Sequence, residues 1–410
     1  ENIKTMPIVS DDIDLCVECG FCEPICPSRE LTMTPRQRIA VQREIKLGNA
    51  DPKVLKDFNY DAIDTCATDG LCEMVCPVNI NTGNNIKSLK LQNLSFLNKV
   101  VSSWAANHFY FLQFIARLGL RLGKSAEFLF GNSIVLLLSK FFNRFFGTPL
   151  WNKSLPSLAP TIRPLSYKKE DRWVYFPSCV NRILSSDSKK SSLVNILNQI
   201  SSKSGESFRI PKMINSICCS QPFTSKGYKD AALLIQEKTI DILWECSDEG
   251  RLPILVDTSP CTQQLLDFHQ ELNIRSKEKL DNLKIVDLID YLKLCTDAFN
   301  NPKLKGEITI HPTCSTEKMD QTPKLKALAD KCIENVILSE NWGCCGFAGD
   351  KGLNTPELNR SATKYVRDEF KNLNSGYSTS RTCEIGMMTH SNIDYKSIAY
   401  LVRDYIFQVK

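Results

Sequence analysis

The chain has 410 residues, 42% hydrophobic and 24% charged, enough for two or three domains with buried cores. Its net charge of +5 is a mild excess and points to no nucleic-acid partner. Nothing reads as a secretory signal, so the eighteen cysteines argue against a disulfide framework and for metal binding in a cytoplasmic protein.

The chain begins at Glu1, not Met. It is either processed or a piece of a longer polypeptide, and the second is the working expectation.

The first motif is "CVECGFCEPICP", with Cys16, Cys19, Cys22 and Cys26 followed by Pro27. This is the C-x2-C-x2-C-x3-C-P run of bacterial ferredoxins. Three thiolates spaced by two residues wrap a loop around one face of a cube. The fourth lies beyond a turn and points to the other cluster. A zinc site predicts paired C-x2-C motifs and leaves Cys26-Pro27 without a role.

Between this motif and the next, "TPRQRIAVQREIKLG" predicts a helix. Thr34 is its N-cap, Pro35 its first residue, Gln37 the capping-box partner and Gly48 the stop. A helix here fits an α-helical ferredoxin. Arg36 and Arg38 are candidates to face a cluster, with at least one of them expected in solvent.

The second motif, "CATDGLCEMVCP", has Cys66, Cys72 and Cys76, then Pro77. The cross-ligation rule assigns Cys16, Cys19, Cys22 and Cys76 to one [4Fe–4S] cluster. Cys26, Cys66 and Cys72 form a second site, with Asp69 where the fourth thiolate belongs. Asp69 is open to three readings: a hard oxygen ligand, an open corner giving a [3Fe–4S] cluster or an exchangeable iron, or a plain turn residue before Gly70.

Residues 95–147 carry Lys99, Arg117, Arg121, Lys124, Lys140 and Arg144 against one acid, Glu127. The longest uncharged run, Val100 to Ala116, is seventeen residues and contains polar side chains, too short for a span. The segment reads as amphipathic helices packed on another domain, with peripheral contact to the cytoplasmic face of a membrane as the alternative. His108 reads as a packed or surface residue, not a ligand. Pro149, Pro156, Pro160 and Pro164 then mark an extended connector.

The remaining chain repeats itself. The first unit has Cys179, the pair Cys218-Cys219, then Cys261; the second has Cys314, the pair Cys344-Cys345, then Cys383. "WVYF", "ILVD" and "ITI" read as strands and "SSLVNILNQI", "AALLIQEKTIDILWEC", "PKLKALADKC" and "ELNRSATKYVRDEF" as helices. The alternation implies parallel α/β layers, with cysteines just past the carboxyl ends of strands. Cys246, Cys295 and Cys332 fall in helical patterns and read as buried structural thiols.

The expected fold class is therefore mixed: an α-helical ferredoxin-like domain followed by two repeated parallel α/β units. The expected divisions are 1–95 for the iron–sulfur domain, 96–147 for the amphipathic helices, 148–172 for the connector, and 173–300 and 301–410 for the two units.

Each unit resembles the cysteine-rich CCG domain of heterodisulfide reductase and of glycolate, glycerol-3-phosphate and lactate oxidation subunits. That family ends its unit in C-x-x-C, whereas here Thr258 and Ser380 stand in place of the first cysteine, and Ser220 replaces the glycine after the first pair. Four cysteines per unit leave a cluster, a zinc site, a redox thiol pair or an empty relic open.

Together, "CVECGFCEPICPSRELTMTPRQRI", "TDGLCEMVCPVNINTG", "HPTC", "GCCGFAGDKG" and "RTCEIGM" resemble the C-terminal half of FAD-linked D-2-hydroxyacid dehydrogenases of the D-lactate and D-2-hydroxyglutarate type. The resemblance implies an oxidoreductase acting on CH–OH groups, with FAD and substrate bound by a missing N-terminal half. It implies that the iron–sulfur half passes electrons from reduced flavin to a quinone or another acceptor. The alternatives are a separate iron–sulfur subunit docked to a flavoprotein partner, or a thiol redox protein. No catalytic residue is assigned.

Overall fold

The computed structural model describes residues 7–11, 13–146, 148–152, 154–162, 167–185, 192–267, 272–391 and 393–409. Pro164 of the expected connector and the Glu1 terminus lie outside them.

The N-terminal part is helical. Helix α1 (Pro35–Leu47) begins and ends where its sequence directs. The Thr34 hydroxyl accepts from Gln37 N, the Gln37 side chain accepts from Thr34 N, and Gly48 turns left-handed at φ 73°. The face with Arg38, Ile39, Gln42 and Arg43 is buried. Helix α2 (Thr82–Gln92) is capped by Asn81, and Gln42 bonds across to Asn85 at 2.9 Å.

Three helices follow: α3 (Phe96–Asn107), α4 (Phe109–Phe130) and α5 (Asn132–Phe146). Ala106 and Phe109 enter the core of the first α/β unit. The other face is open, with Phe96, Leu97, Phe128 and Leu137 all at least 70% exposed. The segment is thus packed on one side only. No helix among the described residues is long and apolar enough to cross a membrane. His108 is exposed and stacks on Trp104.

The C-terminal half holds two four-stranded, all-parallel sheets. The first has β1 (Trp173–Phe176), β2 (Phe208–Arg209), β3 (Ile254–Val256) and β4 (Ile285–Asp287) in the order β2-β1-β3-β4. The second has β5 (Leu304–His311), β6 (Ile333–Leu338), β7 (Ser375–Ser378) and β8 (Asp394–Ser397) in the order β6-β5-β7-β8. First, second, third and fourth strands occupy the same places in both, so the sequence repeat is a repeat of topology. Apolar β1 and β3 are buried along their whole length, as strands covered on both faces must be.

The pattern "ELNRSATKYVRDEF" forms two short helices, Pro356–Ala362 and Lys364–Glu369, because the chain leaves helical geometry at Thr363. Cys246, Cys295 and Cys332 are buried in helices.

At the end of β4, Asp287 caps the following helix, accepting from Ile289 N at 3.1 Å and Thr262 Oγ1 at 2.8 Å. Burial outweighs these bonds and pushes its carboxyl up to about 6. A folded-state value above the unfolded one means the native state holds the proton more tightly. Stability then falls as pH rises from about 4 to about 6, costing about 3 kcal/mol by neutral pH. Asp287→Asn keeps the cap without the charge. Chemical denaturation across pH will show it more stable than wild type at pH 7, with the slope between pH 4 and 6 flattened.

Candidate metal centres

The first ferredoxin-like site is a loop on the surface. Cys16 and Cys76 pack against Ile13, Ile39 and Ile80. Burial raises the Cys22 thiol, and the neighbouring Cys16 and Cys76 raise it further, so these three face one another. Cys19 is exposed on the same loop. Arg36 is half-buried and pairs with Glu23 at 2.9 Å.

The second site is enclosed. Cys26, Cys66, Cys72 and Asp69 line one cavity with Arg38, Thr68, Gly70 and Thr82. Cys26 thus stands with Cys66 and Cys72, and Cys76 with Cys16 and Cys22. Arg38 is 1% exposed. Its guanidinium donates to Ala62 O at 2.8 Å, Ser28 Oγ at 2.8 Å and Cys26 Sγ at 3.6 Å. Burial works against its charge, but the thiols of Cys66, Cys26 and Cys72 hold its pKa above the usual arginine value. A buried cation among three thiols is the counter-charge that thiolates require. Of the three arginines on α1, Arg38 is the one at the cavity.

Asp69 has two partners. Its Oδ1 accepts from Leu71 N at 2.9 Å, holding the start of the short helix Leu71–Met74. The Cys344 thiol, far away in the sequence, lies beside its carboxylate. Burial raises its pKa above the usual carboxylate value.

Around this contact the helical domain rests on the second α/β unit. Ala67 and Leu71 pack with Cys344 and Leu358. Lys351 donates to Cys66 O and Asp64 O, each at 2.7 Å. Tyr60 bonds Glu357 at 2.6 Å.

In the first α/β unit the four cysteines converge past the ends of β1 and β3. Cys218 Sγ is 3.9 Å from Cys179 Sγ, and Cys219 Sγ is 3.0 Å from Cys261 Sγ. Arg182 is buried beside them, its guanidinium donating to Ile214 O and, at 2.7 Å, to Ile217 O. Thr258, where the resembling family has cysteine, bonds Ser178 at 2.9 Å and Asn181 at 3.2 Å. Ser220, in the place of the family's glycine, keeps the left-handed backbone at φ 74°. Its Oγ donates to Gln236 Oε1 at 2.8 Å and accepts from Gln264 Nε2 at 3.2 Å, which offsets the strain. The equivalent Gly346 has φ 69°, and a Cβ there would meet Leu358 O at 2.7 Å.

The second unit repeats the cluster. Cys344 lies beside Cys314 and Cys345, and Cys345 beside Cys383. The neighbouring Cys344 and Cys383, and then His311, hold the Cys345 thiol well below the usual range against its burial. Ser380 lies beside Cys383, and its hydroxyl bonds Thr382 Oγ1 at 3.1 Å.

His311 is the residue that sequence reasoning missed. It ends β5, it is buried, and its ligand nitrogen lies with Cys345 Sγ and Cys383 Sγ inside a 4.8 Å group. Its Nε2 has no hydrogen-bond partner. The available signal was the repeat: three residues before Cys314 stands His311, and three before Cys179 stands Phe176.

The donor sets fit iron–sulfur groups. Thiols converge in each group, and a buried guanidinium faces the thiols of the second ferredoxin-like site and of the first unit.

Comparison with known proteins agrees with this chemistry. Residues 12–80 match the 4Fe-4S dicluster domain, and residues 173–266 and 308–387 match the Cysteine-rich domain. The chain joins an iron–sulfur ferredoxin-like domain to two cysteine-rich domains. Curated relatives include a subunit of the anaerobic glycerol-3-phosphate dehydrogenase of Escherichia coli strain K12 and its counterpart in Escherichia coli O157:H7. Each is 27% identical over 142 residues, which is 33% of this chain and 35% of the relative. The matched region thus spans about a third of those proteins. No solved structure matches the chain.

Proposed function

We propose that this chain is the iron–sulfur electron-transfer part of a FAD-linked dehydrogenase acting on a CH–OH group. The observation that carries the reading is the contact of Asp69 with Cys344, which sets the second ferredoxin-like site directly against the cysteines of the second unit. The two cysteine-rich units also meet, through Ser259 Oγ and Thr379 Oγ1 at 2.8 Å. Four donor sets therefore follow one another: Cys16, Cys19, Cys22 and Cys76; then Cys26, Cys66, Cys72 and Asp69; then Cys314, Cys344, Cys345 and Cys383; then Cys179, Cys218, Cys219 and Cys261. An iron–sulfur cluster stores and releases single electrons, which a two-electron flavin must hand over one at a time.

Exposed Cys19 and its loop suit exchange with a partner, while the protein tunes the inner sites by burial, by Arg38 and by Arg182. The partner is a FAD domain, on the same longer polypeptide or on another subunit, and the acceptor is a quinone or similar carrier. The motifs around Cys16 to Thr34 and Cys383 to Met387 favour a D-2-hydroxyacid substrate. The relatives favour a separate subunit of a glycerol-3-phosphate type of complex. Either reading puts the chain in the cytoplasm or on the cytoplasmic membrane face.

Anaerobic iron and sulfide analysis with EPR of the reduced protein tests this reading. About eight irons per chain would fill both ferredoxin-like sites, and more would fill the cysteine-rich units as well. Iron-free protein that retains its fold would sink it. Dye reduction with D-lactate or glycerol 3-phosphate, using the natural polypeptide or complex, separates the two substrate readings.

A further inference from the structure

A groove of about 780 Å³ lies between α4 and the connector segment 157–161. Its α4 side carries Arg117, Arg121 and Lys124, which stack on one helical face, with Phe128 and Leu129 one turn on. Leu158 and Thr161 lie opposite, and none of the described residues that line it is acidic.

The three cations are differently placed. Arg117 donates to Ala159 O at 2.8 Å and to Thr161 Oγ1 at 3.3 Å, so it fastens the connector to the helix through neutral acceptors. Lys124 pairs with Glu127 at 2.9 Å. Arg121 has no ion-pair partner among the described residues and is exposed. Next to this charge the surface is apolar: Phe128 is 89% exposed and Leu129 68%. The apolar face continues along α5 through Leu137 and Phe141.

The combination selects among occupants. A neutral apolar partner would leave Arg121 without a role, and an acidic peptide would leave the aromatic face bare. An amphiphile with an anionic head and an apolar tail uses both. Six basic residues against one acid across 95–147 extend the same preference to a whole surface.

We propose that this groove takes the headgroup of an anionic phospholipid, with the exposed faces of α4 and α5 lying in the interface of the bilayer. The proposal does not depend on the electron-transfer reading.

Flotation of the full chain with vesicles tests it, using phosphatidylcholine alone and phosphatidylcholine mixed with phosphatidylglycerol. Wild type is expected to float with the mixed vesicles and not with phosphatidylcholine alone. Arg121→Gln with Lys124→Gln is expected to weaken binding about thirtyfold at low salt. Lys140→Gln with Arg144→Gln, outside the groove, is expected to weaken it only about threefold. Equal loss in the two double variants would mean a diffuse attraction and overturn the groove. Equal flotation with both lipid mixtures, or none with either, would overturn the anionic headgroup. Unchanged iron content and thermal unfolding show that each variant is folded.

Discussion

Arg38→Met is expected to empty the second ferredoxin-like site and to destabilise the chain by about 3 kcal/mol. Methionine keeps most of the volume but removes three donors. Ala62 O and Ser28 Oγ lose their partner inside the protein, and Cys26 loses the guanidinium 3.6 Å away. Three thiols then face one another without a buried cation, which favours the protonated, non-ligating form. Iron content is expected to fall by the share of that site alone, since the first site takes no contact from Arg38. Arg38→Lys will lie between the two, because an ammonium supplies charge without the planar fork. Wild-type iron content and an unchanged urea midpoint in Arg38→Met would show that the arginine is only a packing element.

Asp69→Cys is expected to change the EPR spectrum of the reduced protein more than any conservative change on the surface. A thiol at this position completes a four-cysteine set with Cys26, Cys66 and Cys72, so a conventional cubane signal appears or strengthens. The variant also gives up the bond to Leu71 N, worth about 1 kcal/mol at a helix start. Asp69→Asn separates the two roles. It keeps an acceptor for Leu71 N but carries no charge, so its fold is retained while any contribution of the carboxylate to the site is lost. A shifted spectrum in both variants assigns the corner to Asp69. No change in either leaves Asp69 as a helix cap and a link to Cys344.

The sequence disclosed the features governed by local chemistry. Thr34, Pro35, Gln37 and Gly48 delimit α1 because capping is decided within one turn. The order of single, paired and single cysteines exposed the repeat before any strand was placed. Strands without an apolar run were not legible. Only two residues of β2 are paired, too few for a periodic signal. Strand β7 reads "SGYS", since it lies between two neighbours and needs close approach more than bulk. A Cβ on its Gly376 would sit 2.5 Å from the Tyr395 ring.

His311 was hidden by its place at the end of a convincing strand, where a histidine looks like one more pleated residue. The contact between Asp69 and Cys344 was beyond reach for a different reason. It joins two domains, and no spacing rule connects positions so far apart.

The matching strand order of the two sheets gives this polypeptide an internal reference. Around the cysteines, positions of one half can be matched to positions of the other. Phe176 in place of His311, Thr258 in place of Ser380 and Ser220 in place of Gly346 amount to natural exchanges made within one molecule. Arg182 beside the first set of thiols is matched by Glu317 in the second unit, and transplanting His311 onto position 176 asks how far one residue shifts the first half toward the second.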